Sequence, residues 1–434
     1  MRFRYWGLLW ALGFSPMSSA LTLEQAVASA IDNNPEVQHQ YARFRAMGSE
    51  RRAAKGGYLP SVAVYGGTGV EDTRYNSGQK IDADLDRREL GLSISQQLFA
   101  GFRTDAEVKR LSYEAESERY QLMVTAENIA LTVTELYLQV IKAQEIVALS
   151  ERNVADHKKT LDDVHSRMSK GLSSRSDYAQ ISARLATARA SLASAQNNLA
   201  DLRARFLSQV NLPPYNLNTP NADVAMLPAN VSELITKARD QHPSILEAKA
   251  DIKAAKQEFR GAKSKHYPEV TLDFVANKND NIGGFEGPDE DARLMLNFRY
   301  ELYNGGSDHA RVKASGWRYQ EALSLQKRTI IQVEEGAKLS WNARYFLEQQ
   351  QSLYKENVDA ATEATLGYKE QFNLGRRSLL DVLDSKIELF LARRNYINAE
   401  YDARLADYRV HNAMGTLLYA LRVDYPEEWK TEDN

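Results

Sequence analysis

Two carboxylates stand three residues apart in the stretch NLGRRSLLDVLDSKIELF, residues 373–390. Asp381 and Asp384 follow a glycine and the arginines Arg376 and Arg377, and they lie among leucines. On a helix, residues three apart share a face. Four chemistries fit such a pair: helix capping, a metal site, an acid/base pair, or a charged ring lining a passage. A capping-box spacing joins Ser378 to Asp381, and Ser174 with Asp177 repeats it earlier in the chain. Capping does not account for Asp384, which lies past the first free amides; a solvated helix face is the plain alternative there. An acid/base pair for glycoside cleavage needs a concave domain to hold a sugar, and no segment reads as one. No serine, cysteine or histidine sits in a nucleophile setting, so the chain reads as no enzyme and calls for no cofactor. The seven histidines show no paired ligand spacing, and no metal is expected. His157 and His165 come closest and read as helix-surface residues.

The elements that position these residues follow from composition and pattern. The chain has 434 residues, 26% of them charged, with a net charge of −3 that gives no sign of a nucleic-acid partner. Mean hydropathy is −0.51, so nothing reads as an integral helical membrane protein. The first residues, MRFRYWGLLWALGFSPMSSA, combine basic Arg2 and Arg4, a short apolar core, and Ser18 and Ala20 at cleavage-site positions. Residues 1–20 therefore read as a secretory signal, and the mature chain is expected outside the cytoplasm. There is no cysteine, hence no disulfide and no thiol for a lipoprotein anchor.

The chain is written twice. NNPEVQ at 33–38 returns as QHPSIL at 241–246, placing Pro35 over Pro243, and GYLPSV at 57–62 returns as KHYPEV, placing Pro60 over Pro268. At a slightly shorter offset, Gly101 falls over Gly305, Gly171 over Gly375, and Asp177 over Asp381. A unit of about 200 residues is thus repeated. The expected units are 21–212 and 231–420, joined by a proline-rich linker at 213–230 and followed by a short tail, 421–434. Each unit opens with helices and continues with two segments of period two. RLMLNFRYEL alternates most clearly, and VTLDFVAN, LGLSIS and SVAVYGG follow, giving four strands. Polar loops at 71–88 and 277–291 are expected between paired strands. Tyr65, Phe99, Tyr267 and Tyr303 near strand ends fit either an interface girdle or ordinary core. DADLD at 82–86 starts like a calcium loop, but Arg87 stands where glycine is needed. GGTG at 66–69 lacks the lysine and helix of a phosphate loop.

No glycine falls between Gly101 and Gly171, and no proline between Pro60 and Pro213. Thr104 to Met168 therefore reads as one helix, about 100 Å long at the usual rise. Its apolar positions step through Ile129, Val133, Leu136, Val140, Ala143 and Val147, and on past Ser150 and His157 to Val164, as a heptad seam. A second seam begins at Tyr137 and Ile141, which means neighbours on two sides. A return helix is expected from Ser176 to about Val210. Four strands cannot close a barrel in lipid alone, because an open edge leaves backbone groups unpaired, so several copies are expected. A non-conducting periplasmic coiled coil would have no use for amphipathic strands.

LTLEQAVASAIDNNPEV, GYLPSV, QLFAGFR, GRRSLLDVLDSKIELF and HNAMGTLL, in this order and within a doubled unit, resemble the TolC family of outer membrane efflux proteins over essentially the whole mature chain. The resemblance implies an α+β fold and a homotrimer. Four strands per chain would form a twelve-stranded barrel in outer membrane lipid, continued by long coiled-coil helices as a periplasmic tunnel. It implies an exit duct working with a periplasmic adaptor and an inner membrane ABC transporter or proton-driven pump. GYLPSV and QLFAGFR look more like the type I secretion branch than the small-molecule efflux branch. Asp381 and Asp384 match the family's carboxylates at the closed periplasmic tip, where rings of Asp select cations and crowding raises carboxyl pKa values. Arg377 and Asp177 match a pair that holds neighbouring helices shut. Phe372 replaces the tyrosine of that latch and lacks its hydroxyl, and Gln180 stands in the first unit where the second has Asp384.

Overall fold

The computed structural model describes residues 20–75 and 81–430. The signal reading, apart from Ala20, the turn at 76–80 and the last four residues of the tail lie outside the described residues. The first unit comprises α1 (Leu23–Asn33), α2 (Pro35–Lys55), β1 (Ser61–Tyr75), β2 (Ile81–Ala100), α3 (Arg103–Ser169) and α4 (Arg175–Val210). The second repeats the order with α5 (Val231–Gln241), α6 (Pro243–Ala262), β3 (Glu269–Asp280), β4 (Pro288–Arg299), α7 (Ser307–Asn373) and α8 (Leu379–Met414). A single turn, α9 (Leu417–Ala420), follows. The repeated prolines now have a physical reason. Pro35 and Pro243 each open a helix at its first position, behind the N-caps Asn34 and His242. A proline there loses no intrahelical bond and arrives with φ already helical.

The strands form one antiparallel sheet in the order β1-β2-β3-β4, so β1 and β4 are open edges. Register puts Val64, Leu92, Ala276 and Ala292 in one row across the sheet, and Ile94, Phe274 and Leu294 in the next on that face. The opposite face is polar and knit by side chains. Asp273 accepts from Ser95 Oγ at 2.5 Å, Asn297 Nδ2 at 2.5 Å and Thr271 Oγ1 at 2.8 Å. Tyr65 belongs to this face: its hydroxyl donates to Asn277 at 2.6 Å, and its ring lies over Gly91, where a Cβ would meet it at 2.3 Å. A girdle role for Tyr65 is thereby excluded.

The strands run further into the polar segments than alternation indicates. β1 continues to Tyr75 and β2 starts at Ile81, inside the segment expected as a loop at 71–88. Charge pairs carry the ladder there: Arg87 bridges Glu71 at 2.6 Å and also holds Glu89, and Lys278 meets Glu290 at 2.8 Å. At the other end β4 stops at Arg299, short of Leu302, because its partner β3 begins at Glu269, which faces Arg299.

The helices make a slab. α3 lies inside it, packed on α2 and α6 in its first half and on α4 and α8 in its second, while α7 forms one edge against α6 and α8. The α3 seam is buried as the heptads require: Val133 and Val140 are 0% exposed, and Ser150 and His157, which interrupt the apolar pattern, are 2% exposed. His157 is thus not the surface residue its type indicates. Ser150 enters the seam because its hydroxyl donates to Ile146 O at 2.8 Å, within its own helix. No helix among the described residues is long and apolar enough to cross a membrane.

A core at mid-height gathers α1, α3, α4 and α9 around Leu23, Val27, Tyr137, Phe206, Leu417 and Leu418. Glu127 of α3, 3% exposed, accepts from the amides of Leu417 at 2.8 Å and Leu418 at 3.3 Å and from the Tyr425 hydroxyl at 3.2 Å. Burial pushes its carboxyl up to about 7, against the pull of these three donors. Glu127→Ala strands buried donors, which costs about 3 kcal/mol in denaturant unfolding. Limited proteolysis of the same variant should show new cleavage within 415–430.

The tip between the two helical hairpins, a candidate gate

Each long helix ends in the same turn. Gly171 and Gly375 hold φ of 73° and 72°, the left-handed region that a side chain disfavours. Behind them Leu172 N donates to Arg167 O at 2.9 Å and Arg376 N to Gln371 O at 2.8 Å, closing the last carbonyls of α3 and α7. The chain then re-enters helix through capping boxes at Ser174 and Ser378.

Both capping expectations hold. Asp177 Oδ2 accepts from Ser174 N at 2.9 Å and from Ser173 Oγ at 3.0 Å. Asp381 Oδ2 accepts from Ser378 Oγ at 2.8 Å and Ser378 N at 3.1 Å. These bonds hold both carboxyls below the ordinary aspartate range, with Ser174 donating most to one and Ser378 to the other, and Arg377 adding to the latter. Within one chain this is the reverse of the rise expected from crowded carboxylates. The fixed donors stabilise the anion.

Arg377 and Asp177 are not paired within the chain. Arg377 Nε donates to Gln371 Oε1 at 3.1 Å, its guanidinium lies 4.6 Å from the Tyr368 ring centre, and its Nη1 is 3.9 Å from Asp381. Phe372 packs in the tip core, with the Arg167 guanidinium 4.8 Å from its ring centre. Asp384 has a partner that sequence reasoning missed: Arg184 Nη2 of α4 donates to its Oδ1 at 2.9 Å. A signal existed, because at the offset that lays Gly171 on Gly375, Arg184 falls on Glu388.

The two hairpins meet over Val164, Ile181, Leu379 and Leu383. Beside this core Lys386 Nζ donates to Thr160 Oγ1 at 2.8 Å, and His157 keeps its Nδ1 buried without a partner. Burial lowers the His157 pKa, and the neighbouring cations Lys386 and Arg184 lower it further against the opposing Asp156.

The site thus holds carboxylates and cations at a joint between two hairpins, beneath a sheet with one apolar and one polar face. The sequence profile of the outer membrane efflux protein family matches residues 26–208 and, a second time, 234–416. The chain belongs to this family. It is 26% identical over 400 residues to the outer membrane efflux protein BepC of Brucella suis, covering 91% of this chain and 86% of BepC. It is 25% identical to outer membrane protein TolC of Vibrio cholerae, covering 92% and 93% of the two chains. The fold matches that of VceC from Vibrio cholerae with a TM-score of 0.78 at 18% identity, over 91% of this chain and 96% of that one. The α+β architecture of long helices and four strands is therefore that of the family. The chain is an outer membrane efflux protein.

The lowered pKa of His157 makes a pH prediction. Below about 6.5, the ordinary imidazole value, the unfolded chain binds a proton that the folded joint resists, so stability falls as the pH drops. His157→Leu suits the apolar seam and removes this loss. The unfolding midpoints of the variant at pH 5 and pH 8 should lie closer together than those of the unaltered protein.

Proposed function

We propose that three copies of the chain close edge to edge into one exit duct, gated at its tip by Asp381 and Asp384. The observation that carries this is a pair of unsatisfied edges on one slab. β1 and β4 leave a row of backbone groups open on each side of a sheet whose one face is apolar, and lipid does not tolerate open rows. On the β4 side α7 exposes Trp317, Ile331, Leu339, Phe346, Leu353 and Leu366, each more than half accessible in the isolated chain. Soluble surfaces rarely carry so long an apolar stripe. The β1 side continues into α2 and α4. Joining the two sides of successive copies pairs the strands, covers the stripe, and turns the polar face with Asp273 and Asn277 toward a water-filled lumen.

Transport through such a duct is passive, driven by the inner membrane partner. At the tip, Asp381 and Asp384 from three copies bring six carboxylates to the narrowest point, where they favour cations. Arg377 and Asp177, which do not meet within one chain, lie on different hairpins and are assigned to contacts between neighbouring copies that hold the tip shut. Type I secretion of a polypeptide, with an ABC transporter as the inner partner, is the reading supported by GYLPSV, QLFAGFR and the cysteine-free chain. Small-molecule efflux is the second reading, favoured by the similarity to BepC, which is named as an efflux protein.

Planar-bilayer recording of the purified protein tests the gate. Small, cation-preferring currents are expected, and the Asp381→Ala, Asp384→Ala double variant should conduct more and lose that preference. Unchanged conductance and selectivity in the double variant would return both aspartates to capping and solvation.

A further inference from the structure

The ion pair between Arg184 and Asp384 changes what the tip presents to a passing ion. Arg184 Nη2 lies 2.9 Å from Asp384 Oδ1, and both side chains keep access to solvent, at 39% and 57%. The two residues come from different repeats, Arg184 on α4 and Asp384 on α8. Below them the two hairpins are locked by the buried contacts of Ile181 and Leu383, each 0% exposed and less than a turn from the pair. Helices anchored that closely fix the approach of the two side chains. A contact pair of opposite charges acts on a mobile ion as a dipole, whose field decays faster than that of a free carboxylate. Asp381 differs. Its short bonds are to the neutral Ser378, and Arg377 stands off at 3.9 Å while bonded to Gln371 and stacked on Tyr368.

We infer that Arg184 is a selectivity-determining residue of the tip. It neutralises Asp384 and leaves Asp381 as the carboxylate that attracts cations at the constriction. This inference rests on the reading of the tip as a gate. The repeats explain how one chain carries both halves of the pair. Where the second copy has Asp384 and Glu388, the first has Gln180 and Arg184, so the sites have diverged in charge while the turns have not.

Reversal potentials across a potassium chloride gradient test this with the full-length protein and its Arg184→Gln, Arg184→Lys and Asp381→Asn variants. Arg184→Gln should raise the cation-to-anion permeability ratio several-fold, Arg184→Lys should keep the parent ratio, and Asp381→Asn should lower it. A ratio unmoved by Arg184→Gln while Asp381→Asn still lowers it would overturn the role of Arg184 and leave the gate standing. A ratio unmoved by either would overturn both. Should the tip stay shut in the bilayer, binding of Mn²⁺ to the detergent-solubilised protein, followed by electron paramagnetic resonance, decides the question. Arg184→Gln is expected to tighten that binding several-fold, and equal binding in variant and parent would refute the inference.

Discussion

Every backbone N–H and C=O that enters hydrocarbon must find a partner inside the protein, and the rest of this structure depends on that constraint. One chain supplies four strands, enough for an apolar face and a polar face but not for closure. Both outer strands keep one row of unpaired groups. A barrel removes such edges, and the proposed assembly of several copies would supply one. The helical slab meets the same demand below the membrane. It continues the sheet from strand to helix without changing the order of neighbours, so in the proposed assembly sheet and helices would close together.

Duplication supplies the wall, and position within the wall decides how each copy of the repeat is used. α3 and α7 are both 67 residues long, and α4 and α8 both 36, because each pair spans the same height. Their surroundings differ. α3 is flanked on both sides within the chain and buries a long seam, whereas α7 is an edge and among its residues only Ser315, Ala337, Ala361 and Thr365 are buried. Equal backbones with unequal burial fit the proposed assembly, in which the second copy of the repeat would face a neighbouring molecule. The mid-height core, with Glu127 holding the C-terminal segment and the Tyr137 hydroxyl donating to Leu21 O and Asn218 O, adds a belt that neither long hairpin provides by itself.

At the tip, one small set of residues serves two ends. Asp177 and Asp381 start their helices and, by accepting backbone and serine donors, stay ionised to a lower pH than a free aspartate. A carboxylate fixed in this way keeps its charge and its place, so capping is compatible with the proposed gate. Asp384, without a cap to hold it, is placed by Arg184 from the other hairpin. The joint therefore combines an apolar seam with an ion pair, which depends on register, and a buried imidazole, which depends on pH.

Much of this was legible in the sequence. The doubled unit, the four strands, the glycine turns and the long helices follow from local rules: period two, period three and a half, and the positions of proline and glycine. Thr104–Met168 was expected and Arg103–Ser169 is found. Capping at Ser174 and Ser378 was equally local. The sequence alone did not reveal which partner each side chain meets. Arg184 and Asp384 lie 200 residues apart, and only the packing of α4 on α8 brings them within 2.9 Å. The same holds for the burial of His157, for Tyr65 turning to the polar face over Gly91, and for Arg377 choosing Tyr368 and Gln371. Local pattern determines elements because backbone geometry is periodic. Tertiary structure alone decides partners, because a side chain's reach is spent on whatever the fold sets beside it.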